Sequence, residues 1–344
     1  MKILLFSDNH FCERSSILTG VGERFTVRLE NQIKSLNWVE DTAVREGCEA
    51  VICLGDFFDK PNLTDQELTA LTYIRWNEDI PHYFIVGNHD SAEVDLRYSS
   101  THALEGHNRF IVDKPARIEP YILPDMEICA LPYILESERL PLSAYFGERR
   151  KFRLILSHND LKGVQMGAIV SKSGFSLEDI DANCDLFING HLHNGARINS
   201  KVVNIGNLTG KDFGEDGNRY PHNVFIFDTD IKTYSTVENP YAFNFYKFRI
   251  DSEKDLKRFD VLKDNCVLYI TTGVEFKKAV EDRISRLNAV ESKVVVEQED
   301  TDSTPELNSE ELKLDYVSKF VDCCHDKLGH SDLLEQELTE ICSH

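Results

Sequence analysis

The sequence contains no apolar run long enough to span a membrane or to form the core of a signal peptide. The one candidate, "MKILLF", meets Ser7, Asp8, Asn9 and His10 at once, far short of the ~20 apolar residues a spanning helix takes. A cytoplasmic location without membrane attachment is expected. The chain also lacks any CxxC pair. Its nine cysteines are odd in number and scattered, which points away from a disulfide framework or a thiolate zinc site and towards a reducing compartment. Cationic side chains are scarce as well. With 38 Lys and Arg against 59 Asp and Glu, the formal net charge is -21. That excludes a protein gripping nucleic acid through a generally basic surface, because phosphate neutralisation needs clustered Lys and Arg. The densest basic patch, Arg149, Arg150, Lys151 and Arg153, reads as a solvated turn.

What the chain does have is the balance of a globular protein: 344 residues, 41% hydrophobic and 28% charged, enough for one large domain or two ordinary ones. Its apolar runs share a grammar. "KILLF" stops at "SDNH", "AVICL" at "GDFFD" and "HYFIV" at "GNHD"; later, "RLILS" empties into "HND" and "DLFIN" into "GHLHNG". Helical patterning fills about 25 to 47 and about 65 to 77 between the first three. Strands separated by helices imply a mostly parallel sheet with crossover helices, and such sheets collect ligands beyond the carboxyl ends of their strands.

The residues at those ends are Asp8 and His10, Asp56 and Asp59, Asn88, His89 and Asp90, His158, then His191 and His193. Oxygen and nitrogen donors without a thiolate suit manganese, iron or zinc. Residues two apart in an extended segment point the same way, so Asp8 with His10, and His191 with His193, can each converge on one locality. Gly55, Gly87 and Gly190 let the backbone turn sharply and approach closely. Burying Asn88, His89 and Asp90 without partners would cost on the order of 1–3 kcal/mol each. An isolated Asp-x-His is commonplace and incidental; five such ends in order argue against a purely structural reading. The other histidines, at 82, 102, 107, 222, 325, 330 and 344, read as surface or packing residues.

With the set "SDNH", "GDFFD", "GNHD", "SHND", "GHLH", the chain resembles the calcineurin-like metallophosphoesterases over residues 1 to about 230. Within them it looks most like the SbcD-type DNA-repair exonuclease subunits, including the smaller phage recombination nucleases. Phosphoprotein phosphatases carry Asp-Arg-Gly after the second motif and end the third in Glu; here Asp59 precedes Lys60 and Pro61, and the third ends in Asp90. The stretch "VVNIGNLTG" is also similar to the exonuclease branch, although Asn207 stands where many relatives carry Ser or Thr.

The resemblance implies an α/β fold: a calcineurin-like core of β-sheets sandwiched by helices, with a small α/β cap domain and C-terminal helices. It implies two divalent ions, manganese first, with magnesium, iron or zinc as substitutes. Asp8, His10, Asp56 and His193 would hold one ion, and Asp56, Asn88, His158 and His191 the other, with Asp56 bridging. A metal-activated water would attack the phosphodiester. His89 would assist the leaving group, Asp90 would orient His89, and Asp59 would support the site.

On this reading residues 1–238 form the nuclease domain and 239–298 the DNA-selecting cap. The acidic segment 299–312 is a linker. In 313–344, Leu314, Val317 and Val321 fall on one helical face, and Leu333, Leu334, Leu338 and Ile341 on another. Those faces cover either their own domain or a partner. The resemblance implies a coiled-coil ATPase of the SbcC type, besides DNA (duplex ends and single strands) and a second copy of the chain. The function expected is a metal-dependent DNA exonuclease and endonuclease of recombination and repair. The alternatives are a small-substrate phosphatase or cyclic-nucleotide phosphodiesterase, and a noncatalytic protein-binding scaffold.

Overall fold

Alternation along the first strand sets the layers. In Lys2–Phe6, Ile3 and Leu5 enter one core while Leu4 and Phe6 enter another on the opposite face, because successive side chains of a strand leave opposite faces. The computed structural model describes residues 1–92, 95–118, 123–166 and 169–297. Its first six-stranded sheet runs Thr233–Glu238, Asn223–Asp228, Lys2–Phe6, Ala50–Cys53, His82–Ile85, Arg109–Val112. The last four of these strands are mutually parallel. The second runs Ala196–Arg197, Val202–Asn204, Leu186–Asn189, Phe152–Ser157, Met126–Leu131, Ala116–Ile118, with its four central strands parallel.

Between the two sheets lies a core shared by Ile3, Leu5, Ile52 and Ile85 from one and Ile128, Leu154, Leu156 and Ile188 from the other. Helices cover the outer faces. Val27–Glu46 starts at Thr26, whose side chain accepts the Leu29 N–H, and stops at Gly47 with φ 67°, a left-handed C-terminal position suited to glycine. Its Leu29, Leu36, Val39 and Ala43 pack on Leu4, Phe6 and Val51. The sequence reading of this helix agrees to within two residues.

The second helix is shorter than its expected 65–77. A capping box between Thr64 and Glu67 starts it, but it ends at Leu71. The next residues, Thr72, Tyr73 and Ile74, are weak helix formers and close tight turns, with Tyr73 N–H on the Ala70 carbonyl and Ile74 N–H on the Leu71 carbonyl.

After Glu238 comes a further parallel pair, Asn244–Ile250 with Cys266–Gly273. The helix Lys277–Ile284 and the strand Glu291–Glu297 complete a three-stranded sheet. One face encloses Tyr246, Ile250, Phe259, Leu268, Ile270 and Val280. The other sets Phe243, Phe245 and Val267 against Leu18. The β-β-α-β order matches the pattern read for this segment. The linker 299–312 and the helices of 313–344 lie outside the described residues. No helix among the described residues is long and apolar enough to cross a membrane. Their six cysteines are free and buried.

The basic patch is not one solvated turn. Arg153 is fully buried. Its Nε donates to Glu127 Oε1 at 2.7 Å, and its other nitrogens donate to the carbonyls of Phe146, Gly147, Glu148 and Asn183. It staples the end of the second sheet to the loop before it, whereas Arg150 stays 82% exposed. Removing a partner from a buried, hydrogen-bonded charge is costly, so Arg153→Ala is expected to lose about 3–5 kcal/mol of unfolding free energy. Arg150→Ala is expected to change it by less than about 0.5 kcal/mol. Urea denaturation of both variants tests this, and equal losses would refute the staple.

Candidate metal centre

Five strands deliver polar residues to one place. Asp8, Asp56 and Asn88 follow the carboxyl ends of three strands of the first sheet, and His158 and His191 those of two strands of the second. Backbone bonds lash the loops together: Asp8 N–H to the Gly55 carbonyl and His10 N–H to the Asp56 carbonyl, both at 3.0 Å. Asp8, His10, Asp56 and His191 all sit at left-handed φ of 47–63°, a region costly for non-glycine residues and typical of functional loops. Gly87 has no alternative, since a Cβ there would overlap Asp56 Oδ1 and its backbone nitrogen.

Two clusters of donor atoms result. In the first, Asp8 Oδ1 lies 3.9 Å from both His10 Nε2 and His193 Nε2, and the two ring nitrogens face each other at 3.0 Å. In the second, His158 Nε2 is 3.1 Å from Asp56 Oδ2 and 3.2 Å from Asn88 Oδ1, which is itself 3.1 Å from His191 Nδ1. Asp56 Oδ2 is also 3.9 Å from His10 Nε2, so this carboxylate stands between the clusters. His191 and His193 do not converge as their spacing suggested: each joins a different cluster, because His191 at φ 63° breaks the extended alternation.

Other groups turn the rings. His158 Nδ1–H donates to the Leu54 carbonyl at 2.8 Å, leaving Nε2 open. His10 Nδ1 meets Asp59 Oδ1 at 3.0 Å, and His191 Nε2 meets Asp160 Oδ1 at 3.0 Å. Lys211 Nζ pairs with Asp59 at 3.1 Å and reaches His10 Nδ1 at 3.2 Å. Neither Asp160 nor Lys211 was singled out from sequence. Asp160 stands inside the quoted "SHND", but Lys211 follows a turn with no local signal. Asp90 differs from its expected role. Its buried carboxylate accepts the N–H groups of Phe58 and Gly87 at 2.9 and 2.8 Å, while the His89 ring is held through Nδ1 by the Asp59 carbonyl at 2.9 Å. Asn207 is also occupied, bonding Glu215 and accepting the Gly210 N–H.

The residues fit a pair of divalent cations. Asp8 Oδ1 is buried with no hydrogen-bond partner, an expensive state for a carboxylate oxygen unless a cation meets it. In each cluster the ligand atoms of three residues, Asp8, His10 and His193 or Asp56, His158 and His191, lie within 4.8 Å of one another, and the Asn88 amide oxygen joins the second, a set of imidazole, carboxylate and amide donors. Burial lowers the His10 pKa to about 4 and that of His193 to about 3, so both rings are neutral and ready to ligate at pH 7. Burial also lowers His158, but the adjacent Asp56 carboxylate outweighs it and raises the pKa to about 9. Two cavities, of about 680 and 560 Å³, meet at Asn88. Tyr133 and Tyr145 line the first; His89, His193, Arg219 and Tyr220 line the second.

The pKa directions fix a sign. Metal binding at the His158 cluster must expel that proton, so at pH 7 saturation is expected to release about one proton, and affinity there to rise about tenfold per pH unit up to about pH 9. In the metal-free protein the same raised pKa contributes stability in full below pH 6.5, lost as pH rises through about 9. Calorimetry in buffers of different ionisation enthalpy counts the protons; zero release at pH 7 would refute the assignment. Asp59→Asn, which weakens the hold on His10, is expected to lower metal affinity 10- to 100-fold; an unchanged binding isotherm would refute that role.

A family model described as calcineurin-like phosphoesterase matches residues 1–195. No curated protein sequence matches the chain. Among solved structures, one from Thermus thermophilus is similar at TM-score 0.40 and 12% identity, covering 69% of this chain and 98% of that one. A dimetal phosphatase from Danio rerio gives 0.39 and 13%, with 69% and 98% covered. A phosphoesterase from E. coli gives 0.33 and 12%, with 70% and 100% covered. The family model spans more than half of the chain and all five strand ends that build the clusters. The chain therefore belongs to the calcineurin-like phosphoesterase family, whose members hydrolyse phosphoesters at a dinuclear metal centre.

Proposed function

We propose that the chain is the catalytic subunit of a two-metal DNA nuclease, acting as exonuclease and endonuclease on duplex ends and single strands. The observation that carries this reading is the pair of cavities meeting at Asn88. A phosphodiester carries two ester substituents on phosphorus and needs room for both beside the metals; a monoester needs room for one. Both volumes fall within the range of ligand sites.

Asp8, His10, Asp56 and His193 would hold one ion, manganese first, and Asp56, Asn88, His158 and His191 the other. The ions supply Lewis-acid polarisation of the phosphoryl group and lower the pKa of water. The chain's own residues do the rest. Asp59 and Asp160 keep His10 and His191 turned. His89, fixed through Nδ1, keeps Nε2 for the substrate and protonates the departing oxygen as general acid. Its backbone N–H meanwhile holds Asp56 Oδ1 at 2.9 Å. Arg219, stacked on Tyr220 at 5.2 Å, meets substrate charge in the second cavity.

A net charge of -21 repels duplex DNA. We therefore assign DNA selection to the chain's own cap at 239–298 and part of the DNA-holding surface to partners, an SbcC-type coiled-coil ATPase bound through 313–344 and a second copy of the chain, all in the cytoplasm. The same charge favours a second reading, a phosphatase or cyclic-nucleotide phosphodiesterase working on small substrates.

Leaving-group chemistry tests the proposal. End-labelled linear DNA is incubated with manganese and either the wild type or His89→Ala, beside a 4-nitrophenyl phosphodiester whose phenolate departs without a proton. The variant is expected to cut DNA about 10²–10⁴-fold more slowly while losing far less on the nitrophenyl ester. Equal losses on both would remove His89 as the general acid. Intact DNA beside rapid ester hydrolysis by the wild type would favour the small-substrate reading.

A further inference from the structure

The mechanism above uses the larger cavity only as room for an ester substituent and assigns none of its side chains a part. Its apolar and aromatic walls include Leu96, Pro132, Tyr133, Ile134, Leu135 and Tyr145. It opens on the metal centre directly. Asn88 belongs to both, and the Tyr133 ring lies 6.0 Å from the His191 ring. The two tyrosines are fixed rather than loose. Tyr133 N–H donates to the Val86 carbonyl at 3.0 Å, two residues before Asn88, and the Tyr145 hydroxyl accepts the Leu140 N–H at 2.8 Å.

The charges around this cavity decide what it takes. Asp95, Asp113 and Glu138 face Arg97 and Lys114, and Arg97 is already bound through two nitrogens to Asp95. With Asp95 and Arg97 paired to each other, Asp113 and Glu138 remain against the Lys114 ammonium, a poor seat for a second phosphate. The other cavity brings Arg219 and Tyr220, with Asp56 the one carboxylate among its described lining residues. An uncharged aromatic group therefore belongs on the tyrosine side, and the phosphate-bearing remainder of a strand on the arginine side.

We propose that the Tyr133–Tyr145 cavity takes the nucleobase of the nucleoside joined to the scissile phosphate, held by its faces rather than its edges. This rests on the nuclease reading. It makes the site a selector for nucleoside diesters over simple alkyl diesters, with little preference among the four bases, because every base has a face to stack.

The test compares two diesters with the same leaving group: thymidine 4-nitrophenyl phosphate, as the better of its 5′ and 3′ isomers, and methyl 4-nitrophenyl phosphate. The manganese-loaded wild type is expected to prefer the thymidine ester in kcat/KM by about tenfold or more. Tyr133→Ala should collapse that ratio. So should Leu135→Asp, at a position already 36% exposed, where the new carboxylate spoils the pocket without emptying a core. Calorimetry with thymidine 5′-monophosphate against inorganic phosphate reads the same preference without turnover. No preference in the wild type, or a ratio unchanged in both variants, overturns the proposal. If both esters are hydrolysed while DNA stays intact, the nuclease reading fails instead, and the thymidine-to-methyl ratio still decides the pocket.

Discussion

Asp56 is buried where the two sheets come together, its carboxylate 3.1 Å from His158 and 3.9 Å from His10. An ionised carboxylate in that position must be matched by positive charge or it will not stay ionised. In the metal-free protein His158 supplies the match by holding a proton to about pH 9, and Asp56 is pulled well below the ordinary carboxylate range by His158, against the upward push of burial. A divalent cation held by Asp56 and His158 would take the place of that proton as a stronger partner. The geometry around Asp56 therefore serves one requirement, keeping an anion out of water while leaving its outer oxygen for metal.

That requirement explains the strain. Asp8, His10, Asp56 and His191 hold left-handed backbones, each costing on the order of 1–3 kcal/mol, and the loops stay there because other buried groups hold them. Asp90 ties Phe58 to Gly87, and the Gly55 and Asp56 carbonyls accept from Asp8 and His10. Asp90 is itself raised to about 7, by burial first and by the Asp56 charge second. It is thus a brace whose ionisation is sensitive to its neighbour rather than a partner of the His89 ring. Lys211 and Asp59 serve the same end from outside, since their ion pair turns His10 towards the centre.

Much of the site was legible because its parts are local. Each apolar strand ends directly on its polar residues, so the five motifs, their order and their donor types could be read without coordinates. The first two helices and the β-β-α-β segment followed from periodicity, whereas the pairing of two sheets between helices was implied only by the family resemblance. Less visible were features that depend on distant residues. Arg153 looked like its exposed neighbours, and only the packing of Glu127 and four carbonyls around it makes it a core residue. Helix 65–77 ended early because Thr72, Tyr73 and Ile74 prefer turns there to another helical turn.

By itself the sequence determined that carboxylates, imidazoles and an amide would gather at strand ends, because a buried strand must surrender its polar residues at its terminus and parallel strands terminate on the same edge. The tertiary structure alone decided how those donors divide. His191 and His193, two residues apart, serve different clusters because a left-handed turn separates them. Lys211 and Asp160 reach the rings through space from a turn and a strand end, with no periodicity to announce them. The two cavities at Asn88 likewise exist only where loops from both sheets leave a gap, a property of surfaces meeting rather than of any segment.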